Sequence, residues 1–290
     1  MELCGVPLRG LVLNGSGTFD AIAARRAFGD ALLDRFPFDA FVSKTITVEP
    51  RQGNPPPRLW ETPTGMINSI GLPNKGLEGF LAGDLPQLAE LPVPLVVSVM
   101  GFSRDELAAL VDRVGERDEV AMIELNVSCP NVETGLVMGA EPDETARAVE
   151  GVRPATEKPL IVKLTPNALE PAAVAAAAEA AGADAVSLIN TLKGMALHPR
   201  TGRPWLGGST GGLSGPAVRA VALEQVHEVA ARVTIPVVGM GGIASGRDAR
   251  DFISAGATCI AVGTESFRDP AAGRRIGAEL ATLDATPTVA

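Results

Sequence analysis

The stretch Ile-Glu-Leu-Asn-Val-Ser-Cys-Pro-Asn, residues 123–131, decides how the rest of the chain is interpreted. Apolar and polar residues alternate from Ile123 to Ser128, and this period of two predicts a strand with one apolar face and one hydrogen-bonding face. Pro130 then ends the strand, because proline removes a ladder hydrogen bond from a sheet interior. Cys129 therefore lies where strand becomes loop, the position at which barrel enzymes carry reactive side chains.

Short β-rich runs of this kind recur along the chain. The eight runs are residues 11–14, 40–45, 95–100, 122–128, 160–165, 185–191, 236–242 and 259–264. Helical patterns follow several of them, at residues 104–114, 143–152 and 170–181. Alternation of strand and helix calls for a parallel sheet, and eight such units in 290 residues favour one α/β domain over residues 1–290, a (β/α)₈ TIM barrel.

A doubly wound open sheet is the alternative fold. That fold would not place a polar residue at the carboxyl end of nearly every strand, as this sequence does. The residues concerned are Asn14, Lys44, Ser98, Asn126, Lys163, Asn190 and Thr264. Because the carboxyl ends of barrel strands meet at one mouth, we expect these side chains to converge there.

Two connections are too long for ordinary barrel loops. Residues 48–76 are rich in Pro, Gly and Asn, and residues 193–216 contain Gly-Gly-Ser-Thr-Gly-Gly-Leu-Ser-Gly. We expect both to form lids or partner surfaces at the carboxyl-terminal face, with plain surface insertions as the alternative. Residues 280–290 are expected to form a flexible tail.

Composition narrows the function classes. Hydrophobic residues make up 46% of the chain, which is enough for a sizeable core. Lys+Arg 25 against Asp+Glu 34 gives a formal charge of −9, which argues against nucleic acid or an anionic membrane as partner. The amino terminus has no basic segment followed by an apolar run, and no apolar run of about 18 residues occurs. We therefore expect a soluble, cytoplasmic protein.

The three cysteines, Cys4, Cys129 and Cys259, are far apart and include no Cys-x-x-Cys pair. Neither a disulfide framework nor an iron–sulfur cluster can be built from them, and no metal site is expected. Any such cluster would lie on a partner.

Glycine-rich turns end the last two predicted strands, at residues 239–242 and 263–264. Backbone N–H groups exposed by glycine beside helix amino termini bind phosphate, and TIM barrels commonly place a phosphate site after strands seven and eight. The turns therefore predict a phosphorylated ligand. Gly239-x-Gly241-x-x-Ala244 also fits a dinucleotide fingerprint, but that motif should open the first unit of a nucleotide-binding domain.

Two lysines, Lys44 and Lys163, end apolar strands. At a barrel mouth their ammonium groups can hold an anion or stabilise charge that develops on a cofactor; solvent-facing lysines are the alternative. Amide side chains donate and accept hydrogen bonds, which suits the edge of a planar, amide-bearing ligand. The amides expected at the mouth are Asn68, Asn126, Asn131 and Asn190.

Few residues can act as acid or base at this mouth. The chain has no tyrosine, and one of its two histidines, His227, lies in a helical pattern. A free thiol has a pKa of about 8.5, lowered beside a lysine or a helix amino terminus, so Cys129 is the candidate base near neutral pH. A buried inert cysteine is the alternative role, and we assign it to Cys4 and Cys259.

Six motifs in combination resemble dihydroorotate dehydrogenase. They are Gly-Met-Ile-Asn-Ser-Ile-Gly-Leu at 65–72, Asn-Val-Ser-Cys-Pro-Asn at 126–131, Asn-Thr-Leu-Lys-Gly-Met at 190–195, Thr-Gly-Gly-Leu-Ser-Gly-Pro at 210–216, Gly-Met-Gly-Gly-Ile at 239–243 and Ala-Val-Gly-Thr at 261–264. The cysteine resembles that of the soluble class 1 enzymes, since the membrane-bound class uses serine. The motifs at 190–195 and 210–216 resemble the 1B type.

The resemblance implies an FMN-bearing catalytic subunit that oxidises (S)-dihydroorotate to orotate in pyrimidine synthesis. Cys129 would remove the C5 proton while the C6 hydride passes to FMN. The residues implied for orotate are Lys44, Asn68, Ser69, Ile70, Gly71, Leu72, Asn126, Asn131, Asn190 and Thr191. The residues implied for FMN, one per chain, are Ser16, Lys44, Thr45, Ser98, Asn126, Lys163, Ile189, Gly215, Gly241, Gly242, Gly263 and Thr264. The phosphate would lie on the last glycine turns, and Lys163 near the flavin pyrimidine.

The 1B type also implies partners. A homodimer of such a chain joins a second subunit that carries FAD and a 2Fe-2S cluster and uses NAD, in a heterotetramer. Three alternatives stay open: a dihydropyrimidine dehydrogenase-like domain acting on uracil or thymine, a fumarate-dependent 1A homodimer, and a non-redox phosphate-binding barrel. Lys44 discriminates against the first, because a substrate carboxylate needs a cation.

Three positions depart from the family pattern. Ser98 stands where 1B relatives usually have Asn, and Gly15 precedes Ser16 where alanine is usual. Residues 132–136, Val-Glu-Thr-Gly-Leu, replace a more basic and glycine-rich loop. These departures concern one flavin contact and loop behaviour, not the reaction.

Overall fold

The computed structural model of the chain describes residues 1–128 and 138–284. Its strands, in chain order, are β1 (Glu2–Leu3), β2 (Val6–Pro7), β3 (Val12–Asn14), β4 (Phe41–Val42), β5 (Leu59–Thr62), β6 (Gly65–Asn68), β7 (Leu95–Val99), β8 (Met122–Asn126), β9 (Leu160–Lys163), β10 (Ala185–Leu188), β11 (Leu192–Gly194), β12 (Gly211–Ser214), β13 (Val237–Met240) and β14 (Cys259–Val262).

Eight of these strands form one parallel sheet in the order β3-β14-β13-β10-β9-β8-β7-β4. A parallel bridge between Leu13 and Ala40 joins the two ends of that order and closes the barrel. The buried side chain of Asn14 strengthens the seam, because its Oδ1 accepts from the Val42 N–H at 2.8 Å and its Nδ2 donates to the Val42 carbonyl at 2.8 Å. Each of the eight runs predicted from sequence contains one barrel strand, so the predicted TIM barrel is confirmed and the doubly wound alternative is wrong.

The helices surround this barrel. They are α1 (Ala21–Phe28), α2 (Ala31–Asp34), α3 (Gly76–Gly79), α4 (Leu85–Leu88), α5 (Arg104–Gly115), α6 (Pro142–Val152), α7 (Pro171–Ala180), α8 (Arg219–Arg232), α9 (Gly246–Ser254) and α10 (Ala272–Asp284). Serine caps begin two of them: the hydroxyls of Ser103 and Ser245 accept hydrogen bonds from the backbone of the first turn of α5 and α9. Proline begins α6 and α7, where its missing N–H leaves no helical hydrogen bond unmade.

The alternation along β8 separates two packing layers. Ile123 and Leu125 face outward and pack in the large cluster between strands and helices. Met122 faces inward and packs with Leu3 and Leu8 of the amino-terminal β1–β2 segment, which fill the lower barrel. Apolar side chains therefore close the amino-terminal end, and the polar inward positions above them face the other end.

The two long connections meet in a second sheet. Strands β11, β12, β6 and β5 pair antiparallel in that order, and we call this four-stranded sheet the lid sheet. Gly212 lies opposite Asn68 in the register of β12 and β6, and the Trp60 and Trp205 rings pack in a tilted arrangement with centroids 4.8 Å apart. No strand was predicted in these connections, because the β12–β6 pairing that joins the two hairpins links segments more than a hundred residues apart and involves glycines.

The carboxyl-terminal helix continues further than the sequence analysis expects. Residues 280–284, assigned there to a flexible tail, belong to α10, and Leu280 packs in the core with 4% exposure. Within residues 1–128 and 138–284, no helix is long and apolar enough to cross a membrane.

Candidate active site

A cavity of about 390 Å³ opens at the carboxyl ends of the barrel strands, beneath the lid sheet. Its size is that of a pocket for a small organic ligand. The predicted site residues that line it are Ser16, Lys44, Thr45, Asn68, Ile70, Leu72, Asn126, Lys163, Ile189, Asn190, Thr191, Gly215, Gly241, Gly242, Gly263 and Thr264. The structure thus brings together residues from the first strand to the last.

Two predicted substrate residues lie behind the cavity wall. Ser69 is buried, and its hydroxyl accepts from the Asn54 side chain at 3.0 Å. Gly71 adopts a positive φ of 76°, where a Cβ would lie 2.5 Å from the Asn54 backbone nitrogen. Both residues shape the turn that carries Ile70 and Leu72 into the cavity wall.

Ser98 also does not reach the cavity. It lies opposite Glu124 in the register of β7 and β8, one inward layer below Asn126, and its side chain is fully buried. The hydroxyl is too short to reach the mouth and instead bonds Thr45 and Glu124, each at 2.9 Å. Ser98 was predicted to contact the cofactor. The structure corrects this, since Ser98 lies beneath the cavity floor and does not line the cavity.

The predicted base and one predicted amide fall outside the described residues. Cys129 and Asn131 both belong to residues 129–137, as does the altered loop at 132–136. Their roles stay predictions from sequence.

Hydroxyl and amide groups make a connected cavity floor. The hydroxyls of Ser16 and Thr45 share a hydrogen bond of 3.0 Å, and Ser16 also donates to the Ser43 carbonyl at 2.8 Å. Asn126 donates to the Thr45 hydroxyl at 3.4 Å. These contacts fix the side chains before any ligand arrives, which is the condition for tight and oriented binding.

The amides of the opposite wall are oriented in the same way. Asn190 donates to the Ser128 hydroxyl at 2.8 Å and accepts from the Thr191 N–H at 2.8 Å. Asn68 donates to the Gly212 carbonyl of the lid sheet at 3.2 Å. Ser128 itself lines the cavity and was not predicted, although it lies inside the motif at 126–131 that suggested the site.

The two lysines differ in their exposure. The side chain of Lys44 is exposed to the cavity, yet the surrounding walls desolvate it enough to lower the pKa of its ammonium. Asp20 opposes that shift and Arg58 adds to it. Lys163 is 6% exposed, and its Nζ lies 3.9 Å from Oε1 of Glu124. One lysine therefore lies in the cavity wall and the other at its floor, an arrangement suited to an anionic ligand.

The glycine turns after β13 and β14 offer free donors. The backbone N–H groups of Gly241, Gly242, Gly263 and Thr264 make no hydrogen bond within the described part of the chain. Gly241 and Gly242 have φ values of 137° and 75°, and a Cβ on Gly242 would lie 2.7 Å from the Gly215 carbonyl oxygen. Only glycine permits this close approach of two turns. Clustered free N–H groups at turns and helix starts are typical of a phosphate site.

Residues of the rim were missed by the sequence analysis. Phe267 and Arg268 line the cavity mouth, and Arg268 forms an ion pair with Glu61 of β5 at 2.6 Å, which ties the lid sheet to the barrel. No sequence pattern signals this pair, since its two residues are far apart in the chain.

The two described cysteines are unsuited to base chemistry. Burial raises the pKa of Cys4 to about 12, with nearby Asp184 adding to the shift, and burial raises the pKa of Cys259 to about 11. Neither thiol lines the cavity. Both match the inert role assigned to them from the sequence.

Comparison with known proteins identifies the family. The family model described as "Dihydroorotate dehydrogenase" matches residues 1–283. This chain belongs to the dihydroorotate dehydrogenase family. It is 45% identical over 284 residues to the "Dihydroorotate dehydrogenase B (NAD(+)), catalytic subunit" of Geobacter metallireducens, covering 97% of this chain and 91% of the relative. It is 46% identical over 277 residues to the protein of the same name from Pelobacter propionicus, covering 95% and 90%. The resemblance to the 1B type that the motifs indicate is confirmed.

Proposed function

We propose that this chain is the catalytic subunit of a 1B-type dihydroorotate dehydrogenase, which oxidises (S)-dihydroorotate to orotate in pyrimidine synthesis. Enzymes of this family depend on a flavin, and we infer that the flavin here is FMN, one per chain. The observation that carries the proposal is one cavity that combines a phosphate-type glycine cradle, a cationic floor and wall, and a set of oriented amides.

The described residues fit FMN. The free N–H groups of Gly241, Gly242, Gly263 and Thr264 suit its phosphate. Lys163 at the cavity floor suits the pyrimidine edge of the flavin, where a cation favours the reduced form. Bound there, FMN would supply the redox chemistry by accepting the hydride from C6 of the substrate.

The chain's own residues bind and orient the substrate. Lys44 is suited to the carboxylate of dihydroorotate, because it is the cation exposed in the cavity wall. Asn68, Asn126 and Asn190 supply donors and acceptors for the ring amides. Cys129 is proposed as the base that takes the C5 proton, since it lies in the motif at 126–131, three residues along the sequence from the last residue of β8.

The first experiment measures flavin content and substrate preference together. The purified chain reconstituted with FMN should absorb as an oxidised flavin and reduce an artificial dye with dihydroorotate. Dihydrouracil, which lacks the carboxylate, is the matched control substrate and should react far more slowly. A preference for dihydrouracil would move the chain to the dihydropyrimidine dehydrogenase type, and phosphate binding without flavin would make it a non-redox barrel.

We further propose that electrons leave through a partner subunit carrying FAD and a 2Fe-2S cluster that uses NAD, with a homodimer of this chain at the centre of a heterotetramer. Two curated relatives carry "(NAD(+)), catalytic subunit" in their names, which supports this proposal. Alone, the chain should reduce dyes but turn over NAD poorly. Isolation from the native host as a homodimer with full fumarate-dependent turnover, and without FAD or iron, would contradict it in favour of the 1A type.

A further inference from the structure

A lysine at the cavity floor and a glutamate beneath it form a buried pair. Glu124 is 3% exposed and Lys163 is 6% exposed, and their charged groups lie 3.9 Å apart. Lys163 lines the cavity, whereas Glu124 does not. The carboxylate therefore lies one layer below the ammonium, on the side away from the ligand.

Hydroxyl groups hold the carboxylate in place. Ser98 donates to Oε1 of Glu124 at 2.9 Å, and Ser187 donates to Oε2 at 3.3 Å. The two serines come from β7 and β10, so strands on both sides of the β8–β9 pair contribute. Both carboxylate oxygens thus accept hydrogen bonds from serines, while the lysine at 3.9 Å contributes its charge. A carboxylate clamped in this way is a fixed negative charge.

A fixed charge beneath Lys163 has two physical effects. A buried ammonium without a counter-ion loses its proton readily, because burial penalises the charged form. A carboxylate below it also pulls the ammonium toward the floor, which sets its height in the cavity. A charge near a flavin changes the reduction potential of that flavin. Both effects would therefore alter the potential of a flavin bound beside Lys163.

We propose that Glu124 is a positioning residue that acts through Lys163, keeping its ammonium charged and at a fixed depth beneath the bound flavin. The inference rests on the proposed function for the identity of the ligand. Glu124 itself does not touch substrate or cofactor. Ser98 takes part through its hydrogen bond, and this assigns a role to a residue that departs from the family pattern.

Other charged groups near the site are few among the described residues. Lys44 lines the same cavity from the end of β4, and Glu265 and Arg268 line its rim. Neighbouring strands β7 and β10 face the pair with serines, not with ionisable groups. Among the residues that the structure describes, Glu124 is therefore the counter-ion of Lys163.

The test is the pH dependence of the flavin midpoint potential in the FMN-loaded protein, titrated with dithionite and a mediator dye. Two electrons and one proton convert oxidised flavin to its anionic reduced form. The proposal requires one proton per two electrons in the native protein, so we expect a straight plot from about pH 7 to about pH 9. In Glu124→Gln the lysine should be neutral in the oxidised protein at the alkaline end and take up a second proton on reduction. The plot should then steepen at a break.

Controls separate this effect from general damage. Glu124→Asp retains the carboxylate and should restore the straight plot. Glu144→Gln removes a carboxylate with the same 3% exposure, paired with Arg147 on helix α6, and should match the native protein. Adding Lys163→Met to Glu124→Gln should abolish the break. A Glu124→Gln plot parallel to the native plot would overturn the proposal.

A folding failure of Glu124→Gln is also informative. If that variant does not fold, Glu124→Leu combined with Lys163→Met should fold, because removing both charges leaves no unpaired ion in the barrel. A double variant folded no better than the single one would overturn the pairing. Native protein that fails to bind FMN would instead contradict the proposed function and is recognised before any variant is made.

Discussion

The side-chain amide of Asn190 donates a 2.8 Å hydrogen bond to the hydroxyl of Ser128. This contact ties the end of β10 to the residue that immediately precedes Cys129 in the sequence. Asn190 also accepts from the N–H of Thr191, so its amide cannot rotate without losing two hydrogen bonds. One side chain therefore aligns two parts of the proposed substrate site.

Replacing Asn190 by alanine should lower kcat/KM for dihydroorotate by roughly 10- to 100-fold, because the loss of oriented hydrogen bonds costs about 1–3 kcal/mol. Asn167→Ala is the matched control. The side-chain amide of Asn167 donates to the backbone carbonyl of Thr191 at 3.1 Å, but Asn167 does not line the cavity. Steady-state dye reduction checks both variants, and equal losses in the two would show that Asn190 has no special role.

Cys129→Ser should leave FMN content unchanged and reduce turnover at neutral pH by about two to four powers of ten, since a hydroxyl is a poorer base than a thiol. Turnover should recover toward high pH. Cys4→Ser, a change of the same kind far from the cavity, should retain activity. Unchanged turnover of Cys129→Ser would contradict its assignment as the base.

The affinity for orotate should fall as pH rises into the alkaline range. The fall should begin at a lower pH than the ordinary pKa of a lysine would give. The pKa of Lys44 is lowered by desolvation, so its cationic form is present at low pH and is lost as pH rises through that lowered value. Lys44→Met should weaken orotate binding and remove this pH dependence. Fluorescence titration of the FMN-loaded protein measures both, and a flat profile in the native protein would contradict the role of Lys44.

Gly212→Ala should destabilise the protein by about 1–3 kcal/mol and weaken orotate binding. A Cβ at this position would lie 1.9 Å from Oγ1 of Thr191, so the lid sheet would have to move away from the cavity. Gly151→Ala on helix α6 meets nothing within 4 Å and should stabilise the protein slightly. Thermal unfolding with and without orotate distinguishes the two; equal melting temperatures would show that the lid sheet tolerates the shift.

The barrel was predictable because each of its strands carries its own local pattern. Alternation along β8 correctly separates the outward Ile123 from the inward Glu124, and it needs no knowledge of neighbouring strands. The polar residues at strand ends also converge as predicted, since closure of a parallel barrel brings them to one mouth.

What the sequence could not supply depends on register and on distant pairing. Whether Ser98 reaches the cavity is decided by its position opposite Glu124, a layer too deep for a short hydroxyl. The Glu124–Lys163 pair likewise arises only when β8 and β9 align. The Arg268–Glu61 pair joins the barrel to a sheet whose strands had no local signal.

Leu3 and Leu8 fill the amino-terminal end of the barrel with apolar side chains, and we call this packing the apolar plug. The plug contributes to stability, whereas the candidate active site lies at the opposite, carboxyl-terminal end of the strands. Substitutions that improve packing in the apolar plug would raise the melting temperature without altering any group that lines the cavity, because the barrel interior separates the plug from the cavity. For protein engineering, thermal stability and substrate specificity can therefore be optimised in two independent mutant libraries. One library varies residues at the amino-terminal end of the barrel, and the other varies residues at the carboxyl-terminal end.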